Sequence, residues 1–98
     1  MNPPDQPVVL ITGAGKRVGA ATARRLHARG WLLLLHCRSS LVASEALAAE
    51  CNAFRPGSAR VLVADLDQAT DVQRLAQEAM AAWGRLDALV NNASSFFP

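Results

Sequence analysis

Apolar residues are grouped along this chain in four short runs, and each of the first three is followed by a longer stretch with helical spacing. The runs begin at Val8, Trp31, Arg60 and Ala88. The first two are continuous rather than alternating, which is typical of strands covered on both faces of a parallel sheet. The pattern therefore predicts the order β-α-β-α-β-α-β and an α/β fold with a doubly wound parallel sheet.

The stretches between the runs predict three helices, each with one apolar face. Ser39 or Ser40 is expected to cap the second helix, and Thr70 with Gln73 to form a capping box for the third. Gly30 is expected to end the first helix. The predicted buried faces contain Val18, Ala21, Thr22 and Leu26 in the first helix, Ala43, Leu47, Cys51 and Phe54 in the second, and Val72, Leu75, Ala76, Ala79 and Trp83 in the third.

The composition excludes some classes of function. Ten basic and eight acidic residues give a net charge of +2, which is too small to indicate a nucleic-acid or membrane surface. Cys37 and Cys51 have no metal-binding spacing, and we expect them to be reduced thiols of a cytoplasmic protein. Residues 1–7 form a proline-rich segment, predicted to be flexible, and residues 8–98 form the folded part.

The turn between the first strand and the first helix carries the strongest functional signal. It reads Thr12-Gly13-Ala14-Gly15-Lys16-Arg17-Val18-Gly19, so a glycine-rich segment leads directly into a helix. The unpaired N–H groups and the positive dipole end of a helix N-terminus favour an anion, and Lys16 and Arg17 add two cations there. We interpret the turn as the pyrophosphate loop of a dinucleotide site in a Rossmann-type fold, and a simple tight turn is the alternative.

The residues after the second strand indicate which dinucleotide is bound. Sites for NAD place an Asp or Glu about 20 residues beyond the glycines, where it binds the ribose 2′-hydroxyl. This chain has Arg38 there, followed by Ser39 and Ser40. A guanidinium beside two hydroxyls suits a 2′-phosphate, which predicts NADPH as the coenzyme. The alternative is a solvated arginine next to a serine helix cap.

Three further polar residues are candidate ligands. Asp65 directly follows the third strand and is expected to bind the adenine amino group, with an acid preceding a helix as the alternative. His27 falls among the polar positions of the first helix, and His36 lies at a strand end. Neither histidine has a second ligand at metal spacing, so both are interpreted as structural.

Together these motifs resemble those of the short-chain dehydrogenases/reductases and, within that family, the pteridine reductases. The family pattern is TGxxxGxG after the first strand, DL or DV after the third, and NNAG after the fourth. From Val8 to Pro98, this chain has Thr12-Gly13 with Gly19, then Asp65-Leu66, then Asn91-Asn92-Ala93. Arg17 replaces the middle glycine and Ser94 the last one. Both departures are similar to the pteridine reductase forms TGxxxRxG and NNASSF.

The resemblance implies a role for each matching residue. Arg17 would lie near both the pyrophosphate and the substrate, and Ser94 would bond the pterin and a coenzyme phosphate. Phe96 would stack on the pterin ring opposite the nicotinamide, and packing of Phe96 and Phe97 against further protein is the alternative. The implied coenzyme-binding set is Gly13, Lys16, Arg17, Val18, Gly19, His36, Arg38, Ser39, Ser40, Asp65, Leu66, Asn92, Ala93 and Ser94.

The same resemblance implies NADPH-dependent reduction of pterins of the dihydrobiopterin type, with folates as further candidates. In the family a Tyr-x-x-x-Lys pair delivers the proton, whereas this chain has no tyrosine and only one lysine, Lys16. We therefore expect the chain to be the N-terminal, coenzyme-binding part of a longer reductase that forms a homo-oligomer, commonly a tetramer in the family. The alternatives are a short-chain reductase acting on another carbonyl substrate and a non-enzymatic NADP(H)-binding module.

Overall fold

A four-stranded parallel sheet with helices on both faces forms the centre of the structure, a computed structural model that describes residues 4–92. The strands lie side by side in the order β3-β2-β1-β4. This arrangement confirms the predicted Rossmann-type fold class. In chain order the elements are β1 (Val8–Thr12), α1 (Arg17–Ala28), β2 (Leu32–Cys37), α2 (Leu41–Phe54), β3 (Ala59–Val63), α3 (Ala69–Trp83) and β4 (Ala88–Asn91).

The register brings the carboxyl ends of all four strands to one edge of the sheet. Thr12 at the end of β1 pairs with Asn91 of β4, and Cys37 at the end of β2 pairs with Val63 of β3. The strand order reverses between β1 and β4, because the chain first adds β2 and β3 on one side of β1 and then returns to its other side. Ligands of such folds bind outside this edge at the reversal point.

Two apolar clusters hold the helices on the sheet, one on each face. Val9 and Ile11 of β1 face the cluster that contains residues of α1 and α2. Val8 and Leu10 face the opposite cluster, to which Leu75 of α3 contributes. All residues of β1 and β2 are buried, as continuous apolar runs predict for strands covered on both sides.

The buried face of α1 differs from the predicted one. Gly19, Ala23 and His27 are buried, whereas Val18 is 66% exposed and Ala21 is exposed. The predicted face is therefore wrong at Val18 and Ala21, whereas Leu26 is partly buried and packs against the cluster on this side of the sheet, as predicted. A helix that lies close to a sheet packs through its smallest residues, and hydropathy alone ranks valine above glycine.

His27 is also displaced from its predicted polar position, although it is a structural histidine as expected. The side chain is buried, and its Nε2 lies 2.7 Å from Ser58 Oγ. Burial, followed by the charge of nearby Arg55, lowers the pKa of His27 from its usual value. The neutral imidazole is therefore the form that the fold favours.

The buried face of α2 is confirmed in its centre and wrong at its ends. Leu47 and Cys51 are buried as predicted, but Ala43 is exposed and Phe54 is 83% exposed. Arg55 occupies the interior side at this end of the helix, where its guanidinium donates to the carbonyls of His27 and Trp31 at 3.1 and 2.7 Å. By contrast, Trp83 packs against the cluster under α3, as predicted for a core residue.

The helix ends agree with the sequence in two of three places. Gly30 follows the last turn of α1, and Ser40 is the N-cap residue of α2, although its side chain makes no capping hydrogen bond. The capping box of Thr70 with Gln73 is wrong, because the N-cap residue of α3 is Gln68, two positions earlier. The first turn of α3 instead binds the preceding loop through the carboxylate of Asp71, which accepts the N–H of Asp65 at 2.8 Å.

The segment before β1 is attached to the sheet over its described part. The carbonyl of Pro7 accepts the N–H of Leu32 at 2.9 Å, and the guanidinium of Arg85 donates to the carbonyl of Pro4 at 2.9 Å. Within residues 4–92, every helix is too short or too polar to cross a lipid bilayer.

Candidate functional site

The loops that follow the four strands meet at the carboxyl edge of the sheet and form the candidate site. The loop after β1 leads into α1, and the loop after β2 leads into α2, whose N-cap residue is Ser40. Asp65 and Leu66 follow β3, and Asn92 follows β4. The structure thus brings together the described residues that the sequence assigned to a coenzyme.

The glycine loop is packed so closely against its neighbours that no room is left for a side chain at Gly15 or Gly19. A Cβ added to Gly19 would lie 2.6 Å from the carbonyl oxygen of Gly13 and 2.7 Å from Asn92 Nδ2. A Cβ on Gly15 would lie 2.8 Å from Ser40 Oγ. These contacts bring the strand end, the helix start and α2 together without obstructing side chains, which is the geometry that lets a pyrophosphate approach the backbone.

The charge at the start of α1 also suits an anion. Lys16, Arg17 and Val18 are exposed, and the first turn contains no acidic residue. The first N–H groups of a helix have no partner within the helix, and its dipole is positive at this end. The loop therefore fits the phosphates of a dinucleotide, with two cationic side chains close by.

His36 lies under the glycine loop and holds it in place. Its Nδ1 accepts the N–H of Gly13 at 3.1 Å, its Nε2 donates to the carbonyl of Ala64 at 2.9 Å, and its own carbonyl accepts the N–H of Ala14 at 2.9 Å. The side chain is only 2% exposed. Because both ring nitrogens are bonded to the backbone, the ring supports the glycine loop, and contact of His36 with a coenzyme stays a prediction.

A second set of hydrogen bonds joins β1 to the end of β4. The N–H of Asn92 donates to Thr12 Oγ1 at 2.8 Å, and Asn92 Nδ2 donates to the carbonyl of Gly13 at 3.3 Å. Thr12 Oγ1 also lies 3.0 Å from Asn91 Oδ1. These contacts place Asn92 beside the glycine loop, on the side of the sheet where the strand order reverses.

The turn after β3 is stabilised by hydrogen bonds from its own backbone. Asp65 Oδ1 accepts the N–H of Asp67 at 3.0 Å, while the N–H of Asp65 is bound by Asp71. That bond is the main reason why the pKa of Asp71 lies below its usual value. Leu66 packs against the cluster under α3, so the turn has an apolar anchor as well as a polar one.

Arg38 extends from the end of β2 towards this turn. Its NH2 lies 3.5 Å from Asp65 Oδ2, and its NH1 lies 3.6 Å from Asp67 Oδ2. The Arg38 side chain is 56% exposed, and Ser39 beside it is also exposed. No acidic residue lies directly after β2 in the sequence, but the turn after β3 places the carboxylates of Asp65 and Asp67 beside Arg38.

Several residues of this site were not predicted from the sequence. Thr12 was assigned only to the motif, whereas its hydroxyl joins β1 to Asn92. Asp71 was overlooked, although an acid in the first turn of a helix is a recognisable signal for a bond to a nearby N–H. No motif or spacing in the sequence marks Asp67 as a residue of this site. Ala93, Ser94 and Phe96, which were predicted to contact coenzyme or substrate, lie outside the described residues.

No cluster of three or more His, Cys, Asp or Glu side chains suited to a metal ion occurs within residues 4–92. Both cysteines are buried free thiols. The site therefore offers cations, hydroxyls and backbone N–H groups over the described range, a donor set that suits phosphate oxygens.

Comparison with known proteins agrees with this geometry. The family model for short chain dehydrogenase matches residues 7–96, so the chain belongs to the short-chain dehydrogenase/reductase family. Proteins of this family are oxidoreductases that use NAD(P)(H) and act on small molecules. The parallel sheet with interleaved helices is consistent with the Rossmann-type domain of this family.

Individual relatives cover several activities. The chain is 39% identical to pteridine reductase 1 of Leishmania tarentolae, over 97% of this chain and 39% of that protein. It is 36% identical to a granaticin polyketide synthase putative ketoacyl reductase 2 of Streptomyces violaceoruber, over 92% and 34%. It is also 36% identical to a 3-oxoacyl-[acyl-carrier-protein] reductase of Synechocystis, over 88% and 34%. The chain thus spans 34% to 39% of the length of these relatives.

Proposed function

We propose that the full-length protein containing this chain reduces pterins with NADPH, and that this chain supplies the coenzyme-binding half. The observation that carries the substrate class is the 39% identity to a pteridine reductase over 97% of the chain. Arg17, exposed at the start of α1 where the family pattern has a glycine, supports the same assignment. Tetramer formation and a cytoplasmic location stay predictions that accompany this proposal.

The residues at the carboxyl edge would divide the coenzyme among them. The backbone of the glycine loop, with Lys16 and Arg17, would hold the pyrophosphate. Asp65 and the backbone of Leu66 would hold the adenine, and Asn92 with Ala93 would line the nicotinamide ribose. Bound NADPH would supply the hydride for the reduction.

The choice of NADPH over NADH rests on the end of β2. Arg38 is exposed there beside Ser39, and Ser40 is the N-cap residue of α2. A guanidinium and hydroxyl groups together match the geometry of a phosphate, and a phosphate at this position is what distinguishes NADPH. Arg38 is therefore the residue to which we assign the coenzyme preference.

The substrate would lie beyond the loop after β4. Arg17 would face both the pyrophosphate and the pterin, Ser94 would bond the pterin and a coenzyme phosphate, and Phe96 would stack on the pterin ring. A flat heterocycle over an aromatic side chain is favourable both through burial and through ring geometry. The groups that transfer the proton are expected elsewhere in the full-length protein.

The test compares substrates and two neighbouring phenylalanines. We expect the full-length protein to oxidise NADPH with dihydrobiopterin or dihydrofolate at a kcat/KM at least about tenfold above that with a β-ketoacyl thioester. Phe96→Leu should lower kcat/KM for the pterin about tenfold, because a stacked ring is lost. Phe97→Leu is the matched control and should change it less than about twofold. Turnover of the thioester alone would refute pterin reduction.

A ketoacyl reductase is the second candidate, because two of the relatives carry that activity in their names. It predicts a higher kcat/KM with the β-ketoacyl thioester than with dihydrobiopterin or dihydrofolate in the same assay. It also predicts that Phe96→Leu has no selective effect on pterins, since no pterin would stack there. Either result would indicate that the protein still uses NADPH but reduces a β-ketoacyl substrate instead of a pterin.

A further inference from the structure

Arg38 is held by two carboxylates, but only weakly. Its distances of 3.5 Å to Asp65 and 3.6 Å to Asp67 are longer than a charge-assisted hydrogen bond, which is about 2.7–2.9 Å. The three side chains are 56%, 29% and 59% exposed, in the order Arg38, Asp65 and Asp67. Exposed ion pairs contribute little to stability, so a stronger anion can draw the guanidinium away.

The two carboxylates differ in what else they do. Asp65 accepts the N–H of Asp67, and its own N–H is bound by Asp71, so the side chain and backbone of Asp65 shape the turn after β3. Asp67 lies further out, and its carboxylate pairs with Arg38. A substitution of Asp67 that keeps its backbone N–H therefore changes the charge near Arg38 without removing the turn.

We propose that Asp67 is a specificity-determining residue that competes with the 2′-phosphate of the coenzyme for Arg38. The proposal rests on the use of NADPH argued above. In the free protein Asp67 attracts the guanidinium. When a phosphate with about −1.5 to −2 charges takes the guanidinium, Asp67 loses this attraction and repels the phosphate.

Both electrostatic effects have the same sign. Each makes the bound state with NADPH less favourable than it would be without the Asp67 charge. NADH carries a hydroxyl in place of the 2′-phosphate and leaves the ion pair of Arg38 undisturbed. Asp67 therefore reduces the preference of the site for NADPH, and added salt weakens this effect because the charges are exposed.

The experiment measures Kd for NADPH and NADH by titration calorimetry on the full-length protein and its variants. At low salt, Asp67→Asn should bind NADPH about 3- to 10-fold more tightly and NADH within about twofold of the native protein. At about 0.5 M salt most of the gain should be lost. Glu50→Gln is the matched control, because it removes the same charge from a carboxylate that pairs with Arg24 instead.

A second background tests whether Asp67 acts through Arg38. In an Arg38→Gln protein, the gain from Asp67→Asn should fall to less than about half, because no guanidinium is left to compete for. An undiminished gain would overturn the competition. A native protein that prefers NADPH but shows no change on Asp67→Asn would overturn this inference and leave the coenzyme assignment intact. Equal affinities for NADPH and NADH in both the native protein and Asp67→Asn would overturn both.

Discussion

The backbone N–H of Gly13 donates a hydrogen bond to Nδ1 of His36 at 3.1 Å, so a side chain of β2 fixes the start of the loop that follows β1. Because Nδ1 accepts this bond, the ring proton lies on Nε2, which donates to the carbonyl of Ala64 after β3. One imidazole thus connects the ends of three neighbouring strands. The shape of the glycine loop depends on this residue as well as on the glycines.

Replacement of His36 should destabilise the fold and loosen the loop. His36→Leu leaves a buried N–H and a buried carbonyl without partners, and we expect the free energy of unfolding to fall by about 2–4 kcal/mol. Denaturant unfolding of the full-length protein measures this loss. His36→Gln should lose less, because its amide oxygen can still accept from Gly13. A loss below about 0.5 kcal/mol for His36→Leu would show that the bonds carry no net stability.

Gly19→Ala should impair both stability and coenzyme binding. The new methyl group would lie 2.6 Å from the carbonyl oxygen of Gly13, so the loop must move away from α1. We expect a loss of about 1–3 kcal/mol of stability and at least a tenfold rise in the Kd of NADPH.

Ala21→Ser is the control for the glycine variant, since it adds one atom at an exposed position two residues further along α1. It should change stability by less than about 0.5 kcal/mol and leave coenzyme affinity unchanged. If Gly19→Ala binds NADPH as the native protein does, the close packing of the loop is unnecessary for binding.

Arg38→Asp tests whether Arg38 recognises the 2′-phosphate of NADPH. The change removes a cation and adds an anion, so the Kd of NADPH should rise at least about tenfold, while that of NADH should change less than about threefold. Arg25→Asp makes the same charge change at an exposed position of α1 and should affect neither coenzyme selectively. Equal losses of both coenzymes in Arg38→Asp would show that Arg38 does not recognise the phosphate.

His27 should make stability depend on pH in mildly acidic solution. Burial lowers its pKa in the folded protein, so the unfolded chain binds a proton at a higher pH than the folded one does. The stabilisation from the neutral ring is complete above the unfolded pKa, which is about 6.5, and is lost as the pH falls below it.

The measurement is the free energy of unfolding at pH 7.5 and pH 5.5, which are about one pH unit on either side of the unfolded pKa. The native protein should lose more stability between them than His27→Gln, whose side chain does not titrate. Equal losses in the two proteins would mean that other groups account for the whole acid dependence.

The sequence was sufficient for the strands and insufficient for the faces of the helices. β2 could be predicted because a strand that is buried on both faces has a continuous apolar run in the sequence. The face of α1 was predicted wrongly at its start, since close packing selects Gly19 and Ala23 while hydropathy selects Val18. Phe54 was misplaced for a different reason: the guanidinium of the next residue, Arg55, donates to the carbonyls of His27 and Trp31, and Phe54 is left exposed.

The functional residues divide in the same way. The glycine loop could be recognised because its chemistry is contained in consecutive residues. The contacts of Arg38 with Asp65 and Asp67 could not, because they depend on the parallel pairing of Cys37 with Val63, which aligns the ends of β2 and β3. The bonds of His36 were missed because a ring that supports a loop from below has no spacing pattern of its own.

The bonds between Asn92 and the start of the chain have a consequence for the order of folding. They span 80 positions to Thr12 and 79 to Gly13, so the glycine loop reaches its final surroundings only after β4 has joined the sheet. A coenzyme that requires the finished loop binds only molecules in which this strand is docked, and mass action then keeps it there. Amide hydrogen exchange in β4 should therefore slow when coenzyme is added, while β1 and β2, already enclosed, gain less. A bound coenzyme would thus hold β4 on the sheet as well as supply the hydride.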